Sequence, residues 1–175
     1  MSAMPELLDH VTAKDLLLDG TSALSSKVGW YRDRVEAWKR GEKIAPVTID
    51  LALTRRCQAS CSWCFAQSQA SQGDTITKEC FFNFVDDAVE IGVKGISLIS
   101  DGESTLVDWY ADAIEYAAKS GLAVGAGSNG IKLTKDVLER VLPHLAYLRF
   151  NFSAGEPIAY SRIMGLNQKF FHIVK

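Results

Sequence analysis

No stretch of this chain stays apolar for the roughly 20 residues that crossing a bilayer requires, so the sequence predicts no membrane span. Basic residues are not in excess. Lys and Arg number 19 against 21 Asp and Glu, a formal net charge of −2. That balance gives no electrostatic case for nucleic acid or for an anionic membrane surface. The segment Met1–Gly20 carries Glu6, Asp9 and Asp15 and lacks a basic start followed by an apolar stretch. No signal peptide is expected, and the expected location is the cytoplasm. Internal repeats and low-complexity tracts are also missing. Histidine is scarce, and none lies between His10 and His144.

Cysteine is where the sequence becomes informative. Cys57, Cys61 and Cys64 crowd into one short segment, and Cys80 stands apart. With no secretion signal, this clustering points to metal binding or thiol chemistry in a reducing compartment rather than to disulfides. Cys80 falls at the start of an amphipathic helix, on the side of Phe84 and Ala88, and reads as a small buried apolar residue.

Around the cysteines the pattern alternates. Residues 1–45 read as an N-terminal helical extension. Ser26 caps a helix through Arg40, Gly41 stops it, and Val28, Tyr31, Val35 and Trp38 form its packing residues. From residue 46 to 175 the chain reads as strand, loop and helix, repeated. Strands are expected at Val47–Leu53, Gly95–Ser100, Leu122–Ser128 and Ala146–Ser153. The helices between them start at Thr77, near Leu106 and at Thr134, and Pro157 suits the first turn of a fourth. Phe81, Phe84, Val85 and Ala88 mark the buried face of the first, and Val137, Leu138, Val141, Leu142 and Leu145 that of the third.

This order predicts an α/β fold with a parallel sheet and right-handed crossovers. In the fourth strand Leu148, Phe150 and Phe152 share one face and Arg149, Asn151 and Ser153 the other. In the third, Ala123, Gly125, Gly127 and Asn129 make a small or polar face. A doubly wound sheet buries apolar side chains on both faces. One apolar and one polar face fit a curved sheet lining a cavity, as in part of a β/α barrel with ligands at the C-terminal strand ends. Four strands do not close a barrel, and the pattern stops within a helix carrying Phe170, Phe171 and Val174. The expectation is a piece of a longer protein.

The cysteine segment reads Thr54-Arg55-Arg56-Cys57-Gln58-Ala59-Ser60-Cys61-Ser62-Trp63-Cys64-Phe65, directly after the first strand. Three thiolates on one loop can ligate three irons of a 4Fe–4S cluster, whose usual protein complement is four cysteines. The fourth iron is then open to an external ligand. Two alternatives stay open. A structural zinc site wants four ligands and would have to recruit Cys80 or a carboxylate. A dithiol redox pair would use Cys61 and Cys64 and leave Cys57 unexplained. Arg55 and Arg56 flank the loop and read as a solvent-exposed pair.

The C-x3-C-x2-C spacing, with Trp63 before the third cysteine and strand–helix units after it, resembles the radical S-adenosylmethionine enzymes. The resemblance covers about residues 46–175, the first four of six strand–helix units usual in that family's core domain. It implies a partial (β/α) barrel of the radical SAM type. It implies a 4Fe–4S cluster on Cys57, Cys61 and Cys64, whose open iron chelates S-adenosylmethionine. One electron then cleaves the sulfonium to methionine and a 5′-deoxyadenosyl radical, which abstracts hydrogen from a peptide or small-molecule substrate. An electron donor such as flavodoxin or ferredoxin is implied as a partner. Trp63 and Phe65 would lie beside the adenine. Ser100-Asp101-Gly102-Glu103 is similar to the family's Gly-Gly-Glu segment, so Gly102 and Glu103 would support the methionine amino group. Asp101 replaces the first glycine, a departure that matters if the backbone there needs a positive φ. Ser128-Asn129-Gly130 resembles the family's Thr-Asn-Gly. Asn151 and Ser153 would reach ribose or carboxylate, and Arg162 would pair with the carboxylate.

Overall fold

The computed structural model describes residues 31–68, 73–99 and 101–175. The chain divides into two compact units, Met1–Ile44 and Ala45–Lys175. In the first, the described residues form one helix, α1 (Arg32–Lys39), with no buried residue. Trp38, expected to pack, is 65% exposed, and the helix is held by Lys39–Glu36 and Arg40–Glu42 ion pairs near its end. The expected start at Ser26 and the packing residue Val28 lie outside the described residues.

The second unit begins with β1 (Thr48–Asp50) and continues through α2 (Lys78–Glu90), β2 (Gly95–Leu98), α3 (Tyr110–Lys119) and β3 (Ala123–Ser128). It ends with α4 (Lys135–Val141), β4 (Leu145–Phe150), α5 (Pro157–Met164) and α6 (Lys169–Val174). The four strands pair in sequence order, all parallel. Each parallel step requires a crossover, and α2, α3 and α4 supply them.

Local chemistry explains the helix starts. Thr77 Oγ1 accepts from Cys80 N at 3.1 Å, and Thr134 Oγ1 from Val137 N at 3.4 Å. Each satisfies one of the orphan N–H groups of a first turn. The helix expected from near Leu106 starts late. Ser104–Leu106 forms a 3₁₀ turn capped by Glu103, Val107 is extended at ψ 136°, and the α-helix begins only at Tyr110.

The core lies on one face of the sheet. Ile96, Leu98 and Val124 pack there with Phe81, Val85 and Ile114 from the helices. Two expected core positions are not in it. Leu142 is 51% exposed, because Pro143 has no N–H to carry α4 onward and Leu142–His144 turns as a 3₁₀ segment instead. Cys80 is exposed on the flank of α2 beside Asn83 and Asp87, since the helix turns Phe81, Val85 and Ala88 inward.

The opposite face also differs from expectation. Its glycines do not leave open space. A Cβ on Gly125 would strike the ring of Tyr147, and one on Gly127 would lie 3.1 Å from Ile99. On the outer face, Phe150 remains 46% exposed, as β4 has only one neighbouring strand. No helix among the described residues is long and apolar enough to cross a membrane.

These packing assignments predict contrasting variants. Phe81→Ala removes a fully buried ring and is expected to cost about 3–5 kcal/mol in urea denaturation. Leu142→Ala is expected to stay within about 0.5 kcal/mol of the parent.

Candidate functional site

After Leu53 the chain leaves the sheet and is tied down at once. Thr54 is buried, and its hydroxyl pairs with Thr75 Oγ1 at 2.7 Å. Arg55 N donates to Asp74 O at 2.7 Å, and Ile76 N to Leu53 O at 3.1 Å. The returning segment thus braces the base of the cysteine loop.

Two further anchors fix the loop itself. Glu103 N donates to Arg56 O at 2.8 Å. Gly102 makes this approach possible. Its φ is +66°, and a Cβ there would overlap Thr54 O and sit 2.8 Å from Arg56 O. On the other side, Ser60 N donates to Met164 O at 3.0 Å and Ser62 N to Ile163 O at 2.9 Å. These are among the last carbonyls of α5, which lack partners within the helix. Gly165, at φ +63°, ends α5 where a Cβ would lie 2.7 Å from Ser60 O. Ala59 and Cys61 then pack on a second apolar cluster of Tyr160, Met164, Leu166 and Phe171.

All four cysteines are free thiols. Cys57 keeps part of its surface in solvent, yet burial of its thiol pushes its pKa up, with Glu103 and Cys64 adding repulsion. The N–H of Ala59, 3.4 Å from Sγ, and the Asn129 side-chain amide act in the opposite sense. Burial likewise raises Cys61, helped by repulsion from Cys57 and Cys64. Its Sγ lies 3.7 Å from Met164 Sδ. The three thiols are therefore close enough to feel one another. Among the described residues no three His, Cys, Asp or Glu side chains converge on a single-ion site.

Behind the thiols lies a buried carboxylate. Glu103 is 4% exposed, and neutral donors engage both its oxygens. Ser128 Oγ and Thr105 Oγ1 each donate to Oε1 at 2.7 Å, and Asn129 N donates to Oε2 at 2.8 Å. In this structure the side chain ties the end of β2 to the end of β3. Asp101 is not strained, since no described residue other than glycine has a positive φ. It pairs instead with Arg55, Nε to Oδ2 at 3.4 Å, so Arg55 is half-buried rather than free in solvent.

The structure gathers some predicted residues and leaves others apart. Gly102, Glu103, Ser128 and Asn151 line one small polar cleft with Asp101 and Gly127. Asn129 is buried beside it and accepts from Gln58 Nε2 at 3.2 Å, joining β3 to the cysteine loop. Trp63 and Phe65 are exposed on the loop, and Ser153 is exposed beyond β4. Arg162 is exposed on α5, without an ion-pair partner among the described residues. Sequence reasoning missed Gln58, Tyr147 and Gly165. Alternation along β4 puts Tyr147 on the face of Arg149 and Asn151 and could have found it. Nothing local marks Gln58 or Gly165, because both are fixed by distant partners.

The model of the Radical SAM superfamily matches residues 51–175. The chain is 29% identical over 92 residues to the tungsten-containing aldehyde ferredoxin oxidoreductase cofactor-modifying protein of Pyrococcus furiosus, covering 52% of this chain and 26% of that protein. It is 25% identical over 130 residues to the sporulation killing factor maturation protein SkfB of Bacillus subtilis, covering 67% and 31%. It thus spans about a quarter to a third of these relatives' lengths. Streptococcus suis SuiB, solved with S-adenosylmethionine, superposes with a TM-score of 0.64 at 13% identity, over 85% of this chain and 35% of SuiB. That likeness is one of fold.

Two measurements test the site geometry. Gly121 also has a positive φ but open space around it, so Gly121→Ala is expected to cost about 1–2 kcal/mol, the left-handed backbone penalty alone. Gly102→Ala is expected to cost more in the same denaturation experiment, because backbone atoms block its Cβ. In metal-free protein, alkylation of Cys57 and Cys61 should show midpoints above the usual thiol value of about 8.5. Raised pKa values mean protonated thiols at neutral pH, so metal capture releases protons and is favoured as pH rises.

Proposed function

This chain belongs to the radical SAM superfamily, and on that premise we propose that Cys57, Cys61 and Cys64 hold a 4Fe–4S cluster that works on S-adenosylmethionine. The family consists of enzymes that use both cofactors. The observation that carries the proposal is the anchored loop: three cysteines on one short segment whose backbone is clamped from both sides. The donor set suits the group. Three thiolates serve three irons and leave the fourth for S-adenosylmethionine. The buried Nδ2 of Asn129, which has no hydrogen-bond partner, is a donor still lacking an acceptor beside that loop.

When bound, the cluster and S-adenosylmethionine supply one-electron cleavage of the sulfonium, giving a 5′-deoxyadenosyl radical that abstracts hydrogen from substrate, with flavodoxin or ferredoxin as the class of electron donor. The chain's own residues position and shield. Trp63 and Phe65 offer exposed rings for the adenine. Asp101, Gly102 and Asn151 present polar groups in the cleft at the strand ends, with Ser153 exposed beyond β4 and Arg162 available to a carboxylate. Glu103, Ser128 and Asn129 act behind this surface by fixing its backbone.

Residues 46–175 are the core domain in this reading, a curved partial barrel, and residues 1–45 a helical extension. A cytoplasmic setting suits thiols that must stay reduced. For the whole protein we propose a peptide or small-molecule substrate, in line with SkfB, a maturation protein, and the cofactor-modifying relative.

Anaerobic reconstitution with iron and sulfide is the test. About four irons per chain are expected, with 5′-deoxyadenosine released after reduction with S-adenosylmethionine. Cys57→Ala should abolish the cluster while leaving Cys61 and Cys64 able to form a redox pair. Retention of zinc with no iron uptake would sink the proposal.

A further inference from the structure

Asn129 is held so that only one of its polar atoms is left to act. Ile131 N–H can only donate, so the side-chain atom 3.2 Å from it is the oxygen, Oδ1. Gln58 Nε2 donates to the same oxygen at 3.2 Å. The amide orientation is thereby fixed, and Nδ2 faces away from both donors. Asn129 is 4% exposed, and Nδ2 has no hydrogen-bond partner. A buried amide N–H group without an acceptor is a rare expense in a folded protein. The backbone cannot relieve it, because Asn129 N is bound to Glu103 and Glu103 to Ser128.

The cysteine loop lies beside this amide. Gln58, which grips Oδ1, is the neighbour of Cys57 in the chain, so the grip sets Asn129 against the root of the cysteine loop. We infer that Asn129 Nδ2 donates a hydrogen bond to the sulfur of Cys57 when that sulfur ligates the cluster, and that this bond raises the cluster's reduction potential. The inference rests on the cluster reading above and adds a tuning residue to it. The sign follows from charge. Reduction adds an electron, part of whose density falls on the ligating sulfurs, and a donor there stabilises the reduced state more than the oxidised one.

Redox titration of the reconstituted chain, followed by the electron paramagnetic resonance of the reduced cluster and without S-adenosylmethionine, tests this directly. Asn129→Asp keeps an oxygen for Gln58 and Ile131 but replaces the donor with an acceptor. Asn129→Ala removes both. At the wild-type midpoint, each variant is expected to lower the reduced-to-oxidised ratio about tenfold, a shift of about 59 mV for a one-electron couple. A second measurement uses the unmutated protein, with asparagine carrying a magnetic nitrogen isotope in its side-chain amide. Pulsed resonance of the reduced cluster is expected to show a coupling to that nitrogen, retained in Asn151→Ser. Unchanged midpoints in cluster-bearing variants, or no coupling in the wild type, would overturn the inference. If the variants lose the cluster, the wild-type coupling decides alone. A chain that takes up no iron would instead refute the cluster reading itself.

Discussion

Where the three thiols sit depends on two backbone hydrogen bonds, from Ser60 and Ser62 to the last carbonyls of α5. A cysteine loop has no regular structure of its own to hold it. A helix end has carbonyls without partners. Each supplies what the other lacks, and the contact is close enough that only glycine fits at position 165. On the far side of the loop Gly102 plays the same part against Thr54 and Arg56. The site is therefore set by main-chain atoms first, and the side chains that do chemistry hang from a frame they did not build.

Glu103 carries that frame across the sheet. A carboxylate buried among neutral donors is costly unless every lone pair is used, and here hydroxyls and a main-chain N–H use them. Its side chain fixes Ser128 and Asn129 at the end of β3, while its own N–H holds Arg56 in the loop. One residue thus joins β2, β3 and the cysteine loop. Its burial and its distance from solvent are parts of the same role.

Much of this was legible in the sequence where the cause is local. Thr77 and Thr134 cap helices because a hydroxyl before an apolar-periodic run meets the first N–H groups of that run. The strands announced themselves as short apolar runs between turn residues, and their alternation with helices required a parallel sheet. The C-x3-C-x2-C spacing placed the thiols on one loop. Where partners are distant, sequence reasoning failed. Nothing local marked Glu103 as the tie between the ends of β2 and β3, because Ser128 and Asn129 lie at the end of another strand. Cys80 looked apolar and small, but rotation about the helix axis turns it to the flank. Gly125 looked like a vacancy on the sheet, whereas the Tyr147 ring lies across it. In each case the residue type was read correctly and the neighbour was not.

The second apolar cluster gives the site a place in time as well as in space. Cys61 and Met164 touch although 103 positions separate them in the chain. Contacts of such long range are entropically expensive to close and form late in folding. During synthesis, then, the cysteine segment emerges before α5 and α6, and Ala59 and Cys61 can pack on Tyr160 and Phe171 only once those helices have been made. The order of synthesis thus delivers the thiols first and their apolar seat second.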